Sequence, residues 1–317
     1  MTEFISIFEI LIFILSYTDN KLFIFNVVFF FLIYFAGILV DLTITTVICL
    51  DHHLHAPMYL FLCNFSIIDL CYTTIIVPKL LYILLSGNNT ISSTHCYIQI
   101  YFFFVADSAE VTIIFVMAYD RYVAICHPLD YHRLLNKKIC IMLIIVTWIC
   151  GSFNSILMTS SILKMTFCSS FTIHQFFCDA KALLNISCGG TEMFYVVTYV
   201  EYLVFGFIPA MCNLMSYIKI IRVILRIKSK DGRSKAFSTC SSHLSVMAIY
   251  YGSSVAVYLM PPSDRYDILE QILTVFYSTV VPMLNPLIYS LRNKEIKSSL
   301  QKLLLQYQQH LLHVFFM

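Results

Sequence analysis

The chain has 317 residues, of which 59% are hydrophobic and only 12% are charged. Because a soluble domain carries about a quarter charged residues, this composition excludes an ordinary soluble protein and indicates an integral membrane domain. The formal net charge of +2 gives no reason to expect a nucleic-acid partner.

The N-terminal residues contain a short apolar patch from Phe4 to Ile14, which Glu9 interrupts. A signal peptide is one interpretation, but the patch lacks a basic start and a small-residue cleavage site. We therefore expect residues 1–21 to form an uncleaved extracellular segment.

Seven longer apolar spans follow, each with the roughly 20 residues that a helix needs to cross a bilayer. In chain order they are residues 22–50, 57–84, 97–126, 139–163, 193–227, 236–260 and 268–291. The fifth is longer than a bilayer requires, so we expect it to continue as a helix into the cytoplasm. The sequence therefore predicts an all-α fold, with a seven-transmembrane helix bundle over residues 22–292.

Residues 293–317 place apolar side chains at helical spacing, which predicts a short amphipathic helix on the cytoplasmic surface of the lipid bilayer. These side chains are Ile296, Leu300, Leu303, Leu304, Tyr307 and Leu311. Most of the 20 Lys and Arg residues fall in segments on the same side as this helix. Because cationic loops favour the cytoplasm, we predict a plasma-membrane protein with an extracellular N-terminus and a cytoplasmic C-terminus.

The predicted extracellular side holds several cysteines. Because the extracellular side is oxidising, disulfides between them would persist there. They are Cys96, Cys168, Cys178 and Cys188, and spacing alone leaves all three pairings open. The same side carries two glycosylation sequons, which begin at Asn88 and Asn185.

Two polar motifs interrupt the apolar spans. Asp120 and Arg121 stand side by side near the end of the third span, where a charge pair is costly and marks a functional candidate. Asn285 and Pro286 lie in the last span, where the proline kinks the helix and frees backbone groups. An alternative interpretation is that Asp120 and Arg121 merely end a helix at the membrane interface.

Five sequence blocks together resemble the olfactory (odorant) receptors, a family of rhodopsin-like (class A) G-protein-coupled receptors. The blocks are Leu54–Tyr59, Met117–Cys126 with the following Pro128-Leu129, Ser216-Tyr217, Lys235–Leu244 and Pro282–Glu295. They occur in order and at family spacing, over nearly the whole chain. The resemblance implies disulfides between Cys96 and Cys178 and between Cys168 and Cys188. It also implies a small volatile odorant as ligand and a stimulatory olfactory-type heterotrimeric G protein as partner, with a rise in cAMP.

The resemblance also implies a switch in the inner half of the bundle. Asp120 can hold the always-charged Arg121 in an inactive arrangement, and its release would open a site for the G protein. The switch residues carried over are Asp120, Arg121, Tyr122, Tyr217, His243, Asn285, Pro286 and Tyr289. No enzyme activity is expected. The main alternative is a cation transporter or channel that uses the embedded acids, although the two halves show no transporter-type repeat.

Three polar residues, Asp69, Glu110 and Asn285, are expected at similar depth on three different helices. The resemblance implies a sodium ion among them and no other cofactor. The rival interpretation is a set of protonated, hydrogen-bonded carboxyls. Asp41 departs from the family pattern, which usually has Asn there, and its extra carboxylate would strengthen cation binding or repel its neighbours.

The resemblance places the ligand pocket in the outer half of the bundle, with an aromatic and aliphatic wall and a few polar groups. Its expected residues are Phe103, Phe104, Asp107, Ser108, Val111, Thr198, Glu201, Tyr202, Phe205, Tyr251, Ser254, Val255, Tyr258, Tyr277 and Ser278. Asp107 and Glu201 are unusual, since two acids that face one apolar cavity favour a cationic, amine-type odorant. The alternative is that one or both are neutral and hydrogen-bonded, or that Glu201 faces elsewhere.

Overall fold

The computed structural model describes residues 7–10, 20–168, 171–173, 175–258, 267–292 and 294–315. These residues are mostly helical, because only a helix satisfies every backbone donor and acceptor within its own segment inside a bilayer. The helices are α1 (Asn20–Leu50), α2 (Pro57–Ser86), α3 (Ser93–Cys126), α4 (Tyr131–Leu134), α5 (Lys137–Ile162), α6 (Ala180–Asn185), α7 (Glu192–Glu201), α8 (Ile208–Arg226), α9 (Lys230–Tyr258), α10 (Asp267–Val275), α11 (Val281–Arg292) and α12 (Lys294–Phe315).

Six helical stretches of the described chain are long and apolar enough to cross a membrane. They are Phe23–Leu50, Pro57–Ser86, Ser93–Cys126, Lys137–Ile162, Glu192–Arg226 and Leu269–Tyr289. The remaining predicted span corresponds to α9, whose 29 residues suffice to cross but include buried polar side chains such as His243 and Ser253. These side chains lower its hydropathy while they face neighbouring helices. The predicted all-α, seven-transmembrane helix bundle is confirmed.

Helix α3 runs through the centre of the bundle. An apolar segment of α3 is 72% buried inside the protein, compared with 17% for that of α1 and for that of the stretch formed by α7 and α8. It packs against α2, α5 and α8 and also contacts α9. The Ser92 hydroxyl caps the N-terminus of α3 by accepting a hydrogen bond from the His95 backbone N–H. The helix therefore begins slightly before the predicted first residue of this span.

Two of the predicted continuous spans contain a π-helical turn. Tyr202–Phe207 separates α7 from α8, and Phe276–Val280 separates α10 from α11. Each turn is followed closely by a proline, Pro209 in one case and Pro282 in the other. Because proline has no N–H for the preceding turn, the helix widens locally, which re-aims the side chains around each turn.

One end of the bundle is covered by loops that two disulfides hold. Cys96 pairs with Cys178 at a Cα–Cα distance of 5.4 Å, and Cys168 pairs with Cys188 at 6.1 Å. Both pairings that the resemblance implied are confirmed. We call this end the disulfide end, and the opposite end, which holds Asp120 and Arg121, the Arg121 end.

The N-terminal segment contributes a strand that the sequence analysis did not predict. This strand, β1 (Ile7–Ile10), lies between two loop strands, β2 (Thr90–Ser92) and β4 (Thr172–Ile173). It pairs antiparallel with β2 and parallel with β4. A two-stranded sheet of β3 (Thr166–Phe167) and β5 (Ser187–Gly189) lies beside the Cys168–Cys188 bond. The described leader residues are therefore part of the loop layer at the disulfide end.

The C-terminal helix α12 follows α11 and packs against α1 and α11. Its Ile296 is buried, and Leu300 and Leu303 are partly buried against the core, as the predicted apolar stripe requires. The side chains of Leu304, Tyr307 and Leu311 lie outside the described residues. The Tyr59 hydroxyl donates a hydrogen bond of 2.5 Å to Oε2 of Glu295, which joins α12 to α2.

Candidate functional site

A cavity of about 370 Å³ lies at the disulfide end, between α3, α6, α7, α9 and the second π turn. Its volume is near the lower end of the roughly 300–1,000 Å³ that small-molecule sites occupy. Of the predicted pocket residues, its wall contains Phe104, Asp107, Val111, Thr198, Glu201, Tyr202, Phe205, Tyr251, Ser254 and Tyr277. The first π turn supplies Tyr202 and Phe205, so the local widening of the helix shapes this wall.

Two hydrophobic residues predicted for the pocket lie outside the wall. The Phe103 ring packs against the rings of Tyr72 and Phe177, with centroids 5.1 and 5.3 Å apart. Val255 is 54% exposed and does not line the cavity. A helix turns by about 100° per residue, so the residue after the inward-facing Ser254 faces away.

Two predicted hydroxyls are also absent from the wall. The Ser108 Oγ accepts a hydrogen bond from Asn154 Nδ2 at 2.9 Å, and the Ser278 Oγ donates to the Thr274 carbonyl at 2.7 Å. Both are therefore engaged in contacts within the bundle. The side chain of Tyr258 lies outside the described residues.

Several wall residues were not predicted. They are Met158, Asp179, Ala180, Lys181, Leu184, Phe194, Tyr195, Gly206 and Tyr250. Tyr250 precedes Ser254 by one helical turn, so helical spacing contained a signal for it. The residues from Asp179 to Leu184 had no such signal, because the Cys96–Cys178 bond and not a periodic pattern places them beside the cavity.

Both predicted acids line the cavity. The Asp107 Oδ1 accepts hydrogen bonds from the hydroxyls of Tyr277 and Tyr250, the latter at 3.3 Å. The Glu201 Oε1 accepts a hydrogen bond from Asn154 Nδ2 at 2.9 Å. These neutral donors fix the orientation of the two carboxyl groups, and Glu201 faces the cavity and not elsewhere.

A short loop helix, α6, covers one side of the cavity. Asp179 begins it, and its Oδ1 accepts from the backbone N–H groups of Lys181 and Ala182 at 2.9 and 3.1 Å. Burial raises the pKa of the Asp179 carboxyl above its ordinary value, although these two N–H groups act in the opposite direction. The Lys181 Nζ lies 3.0 Å from the Glu270 Oε1 on α10, so an ion pair connects this cover to the bundle.

At the other end, Asp120 holds Arg121. The Arg121 Nε and Nη2 both donate to Oδ2 of Asp120, the former at 2.9 Å. The Tyr131 hydroxyl donates to Oδ1 of Asp120 at 2.8 Å. Burial and the adjacent Asp120 carboxylate raise the pKa of Tyr131, which therefore keeps its proton for this bond.

Tyr122 lies beside this group. Its hydroxyl lies 3.2 Å from Nε2 of His127, and the Lys219 ammonium lies over the face of its ring.

A second contact at this end involves Tyr217 on α8 and His243 on α9. Nε2 of His243 lies 3.1 Å from the Ile114 carbonyl, which can only accept, so Nε2 carries the ring proton. Nδ1 therefore accepts a hydrogen bond from the Tyr217 hydroxyl, at 2.7 Å. Through these two bonds His243 joins α9 to both α3 and α8.

Little free space remains between these groups. A pocket of only about 10 Å³ lies among Met58, Met117, Asp120, Arg121, His243 and Tyr289. Tyr289 is buried and its ring meets that of Phe65 edge to face, while its hydroxyl has no hydrogen-bond partner among the described residues. Pro286 lies inside α11, one turn before Tyr289. The Arg121 end is thus closed in this structure.

The predicted polar cluster lies between the two ends. Asp69, Glu110 and Asn285 are all buried, and the Asn285 Nδ2 donates to Oε1 of Glu110 at 3.0 Å. Asp69 interacts electrostatically with Glu110 and with Asp41, which is also buried. Neither oxygen of Asp69 has a hydrogen-bond partner of ordinary geometry among the described residues, nor has the Oδ1 of Asn285.

These orphaned oxygens fit a hard cation such as sodium, which prefers oxygen ligands. Within the described chain, no three His, Cys, Asp or Glu side chains come together as a metal site. An ion here would therefore depend on amide or hydroxyl oxygens besides the carboxylates. Asn285 offers such an oxygen, and so does Ser66, whose Oγ is buried and interacts with the Asp41 carboxyl.

The two predicted glycosylation residues, Asn88 and Asn185, are both exposed at the disulfide end. The Asn88 Oδ1 accepts hydrogen bonds from the backbone N–H and the hydroxyl of Thr90, at 3.1 and 2.7 Å. Asn185 is the last residue of α6.

Comparison with known proteins identifies the family of this chain. The model of the olfactory receptor family matches residues 30–307. The chain is 41% identical over 270 residues to Olfactory receptor 1 of Rattus norvegicus, covering 85% of this chain and 86% of that protein. It is 45% identical over 275 residues to Olfactory receptor 8A1 of Homo sapiens, covering 86% and 83%. It is 39% identical over 301 residues to Olfactory receptor 2M4 of Homo sapiens, covering 95% and 96%. The chain therefore belongs to the olfactory receptor family of class A G-protein-coupled receptors, which are multi-pass membrane receptors and not enzymes.

Proposed function

We propose that this receptor binds a small volatile odorant in the cavity at the disulfide end and activates a stimulatory, olfactory-type heterotrimeric G protein at the Arg121 end, which raises cAMP. One observation carries the proposal. The same two helices, α3 and α9, line the cavity and form the closed contacts around Arg121.

Helix α3 supplies Asp107 to the cavity and Arg121 to the other end, 14 residues later. At 1.5 Å per residue this separation is roughly 21 Å, which is too far for direct contact between the two sites. Helix α9 supplies His243 and, seven residues later, Tyr250, so both lie on one face two turns apart. A ligand that contacts Tyr250 therefore acts on α9, the helix that the hydrogen bond between Tyr217 and His243 joins to α8.

Activation would then follow from a shift of α9. If α9 moves away from α3, the hydrogen bond from His243 to the Ile114 carbonyl breaks and the small pocket beside Arg121 widens. The guanidinium can leave Asp120 for a G protein that enters the widened cleft. Such a change requires a ligand with higher affinity for the open arrangement than for the closed one.

We also propose that the disulfide end and the N-terminus are extracellular, with the C-terminus in the cytoplasm and the domains divided at residues 21 and 292. The disulfides and the exposed sequons at one end support this orientation. An N-terminal epitope tag should stain on intact cells, and a C-terminal tag only after permeabilisation. The reverse pattern would refute the orientation. Loss of the glycan shift on gels in Asn88→Gln and Asn185→Gln would assign the modified sequons.

We further propose that a sodium ion occupies the polar cluster. Asp69, Glu110 and Asn285 would hold it, and the ion would supply positive charge that compensates the buried carboxylates. Replacing sodium with N-methylglucamine should lower the thermal stability of the purified receptor, and Asp69→Asn should abolish this sodium dependence. Equal stability in both cations would favour the rival of protonated, hydrogen-bonded carboxyls.

The main test of the function is expression in cells with an olfactory-type G protein and exposure to a broad odorant panel. We expect a cAMP rise to at least one odorant, and its loss in Arg121→Gln at equal surface expression. Whole-cell current should be recorded in parallel, in cells that lack cAMP-gated channels. An odorant-evoked current without any cAMP change would overturn the proposal in favour of a cation channel.

A further inference from the structure

Two acids face the same cavity from different helices. Asp107 comes from α3 and Glu201 from the end of α7, and both belong to the cavity wall. They are close enough to interact electrostatically. Two carboxyl groups in one largely apolar space would repel each other if both were ionised, so this arrangement needs a compensating group.

The described protein supplies no cation for this purpose. Neither Asp107 nor Glu201 forms an ion pair with any described residue, and both rely on the neutral donors Tyr250, Tyr277 and Asn154. Among the described wall residues the one cationic side chain, that of Lys181, is engaged with Glu270. An ionised carboxylate that faces a largely apolar cavity is costly without a cation, which leaves a place for a positive charge that the protein does not fill.

Each acid also keeps an acceptor atom. The neutral donors use Oδ1 of Asp107 and Oε1 of Glu201, whereas the second oxygen of each makes no hydrogen bond within the described chain. Thr198 adds a wall hydroxyl that has no hydrogen-bond partner there either. The remaining wall near the acids includes the apolar side chains of Phe104, Val111, Phe205 and Phe194.

We propose that the cavity selects small lipophilic amines, which bind as ammonium ions with the nitrogen between Asp107 and Glu201 and the hydrocarbon against the apolar wall. This proposal rests on the proposed function, because it names the ligand class of the same cavity. An ammonium group offers several N–H donors and one positive charge. One ionised carboxylate balances that charge, and the other acid takes part as a neutral hydrogen-bonding group.

The test compares odorants that share a carbon skeleton and differ in one functional group. Suitable sets are hexylamine, hexanol, hexanal and hexanoic acid, and cyclohexylamine with cyclohexanol and cyclohexanone. Aniline, a ring amine that is largely neutral at pH 7, is compared with cyclohexylamine to separate the effect of the positive charge from that of the amine group. We expect cAMP responses to the protonated amines at concentrations at least about tenfold lower than to the matched alcohols, because hydrogen bonds to charged partners are stronger.

Variants then assign the response to the two acids. Of Asp107→Asn and Glu201→Gln, the one that removes the ionised acid should raise the amine concentration for half-maximal response by about ten- to a hundredfold, and the other should raise it less. Both should alter responses to neutral odorants far less. Glu192→Gln is the matched control, because Glu192 is an exposed acid outside the cavity. Surface staining of a tagged receptor excludes poor folding, and Glu201→Asp, which keeps the charge, should retain preference for amines.

The outcomes separate the two proposals. Activation by alcohols, aldehydes or acids but not by amines would overturn the amine proposal and leave the odorant-receptor function intact. Unchanged amine responses in both Asp107→Asn and Glu201→Gln would likewise overturn it. Silence towards the entire odorant panel, in cells whose cAMP pathway responds to forskolin and whose surface carries the receptor, would count against the proposed function itself.

Discussion

The Tyr217 hydroxyl donates a hydrogen bond of 2.7 Å to Nδ1 of His243, and the two rings stack with centroids 5.6 Å apart. His243 is 1% exposed, and its other nitrogen donates to the Ile114 carbonyl. The imidazole is therefore fully satisfied only while α3, α8 and α9 stay together. Separation of any of these three helices at the Arg121 end would therefore leave His243 with a broken hydrogen bond.

Replacing Tyr217 by Phe should weaken the closed arrangement. The change leaves Nδ1 of His243 buried without a donor, which costs about 1 kcal/mol, or roughly a fivefold shift in the equilibrium between closed and open forms. We therefore expect a higher basal cAMP level, measured without odorant at equal surface expression.

The control for this experiment is Tyr119→Phe, because Tyr119 lies on α3 but is exposed. Basal cAMP in this control should match the parent. A fall in basal cAMP in Tyr217→Phe would show that the hydroxyl stabilises the open form more than the closed one, contrary to the role inferred from the hydrogen bond to His243.

A second prediction concerns the charge that holds Arg121. Asp120→Asn removes the carboxylate that accepts from two guanidinium nitrogens, while it preserves the size of the side chain. Because a charge-assisted bond becomes a neutral one, we expect a basal cAMP level several-fold above the parent. Asp130→Asn is the matched control, since Asp130 pairs with Arg133 at the exposed surface. Equal basal levels in both variants would refute the restraint by Asp120.

The sequence predicted the membrane helices well because each must hide a backbone from lipid, and this requirement leaves long apolar runs. It predicted individual pocket residues less well. Ser254 and Val255 were both assigned to the wall, but only Ser254 lines it, since adjacent residues on a helix diverge by about 100°. Tyr250 was missed although it lies one turn before Ser254 on the same face.

The parts that the sequence could not predict depend on long-range pairing. The position of α6 over the cavity follows from the bond between Cys96 and Cys178, which was expected only through family resemblance. The pairing of β1 with β2 and β4 joins residues that are far apart in sequence, and no local pattern specifies such partners. The two π turns were not predicted either, although a proline follows each of them.

A third prediction uses the buried carboxyl of Asp179. Its pKa lies above the ordinary value of 3.8 because burial disfavours the charged form. The contribution of this group to stability is therefore fully present below the unfolded pKa and is lost as pH rises through the raised folded pKa. Asp179→Asn keeps a cap oxygen for α6 but cannot ionise.

We accordingly expect Asp179→Asn to stabilise the purified receptor relative to the parent near pH 7, and this advantage to shrink as pH falls towards 4. Thermal unfolding in detergent at several pH values would measure it, with Glu192→Gln as a control for loss of an exposed acid. A difference from the parent that stays constant over this pH range would show that Asp179 acts only as a cap.

The last prediction concerns the ion pair between Lys181 on α6 and Glu270 on α10, which lie 3.0 Å apart at Nζ and Oε1. Both side chains are largely shielded from solvent, so the pair holds the cover over the cavity more firmly than an exposed pair would. Glu270→Lys places two cations together, and we expect odorant responses to require roughly fivefold higher concentrations, which corresponds to about 1 kcal/mol.

Lys181→Glu should weaken responses too, with added repulsion from the nearby Asp179. The double variant, Lys181→Glu with Glu270→Lys, restores opposite charges and should recover much of the sensitivity, as a double-mutant cycle measured by cAMP would show. Additive losses in the double variant would mean that the two residues affect the cover independently and that their contact does not hold it closed.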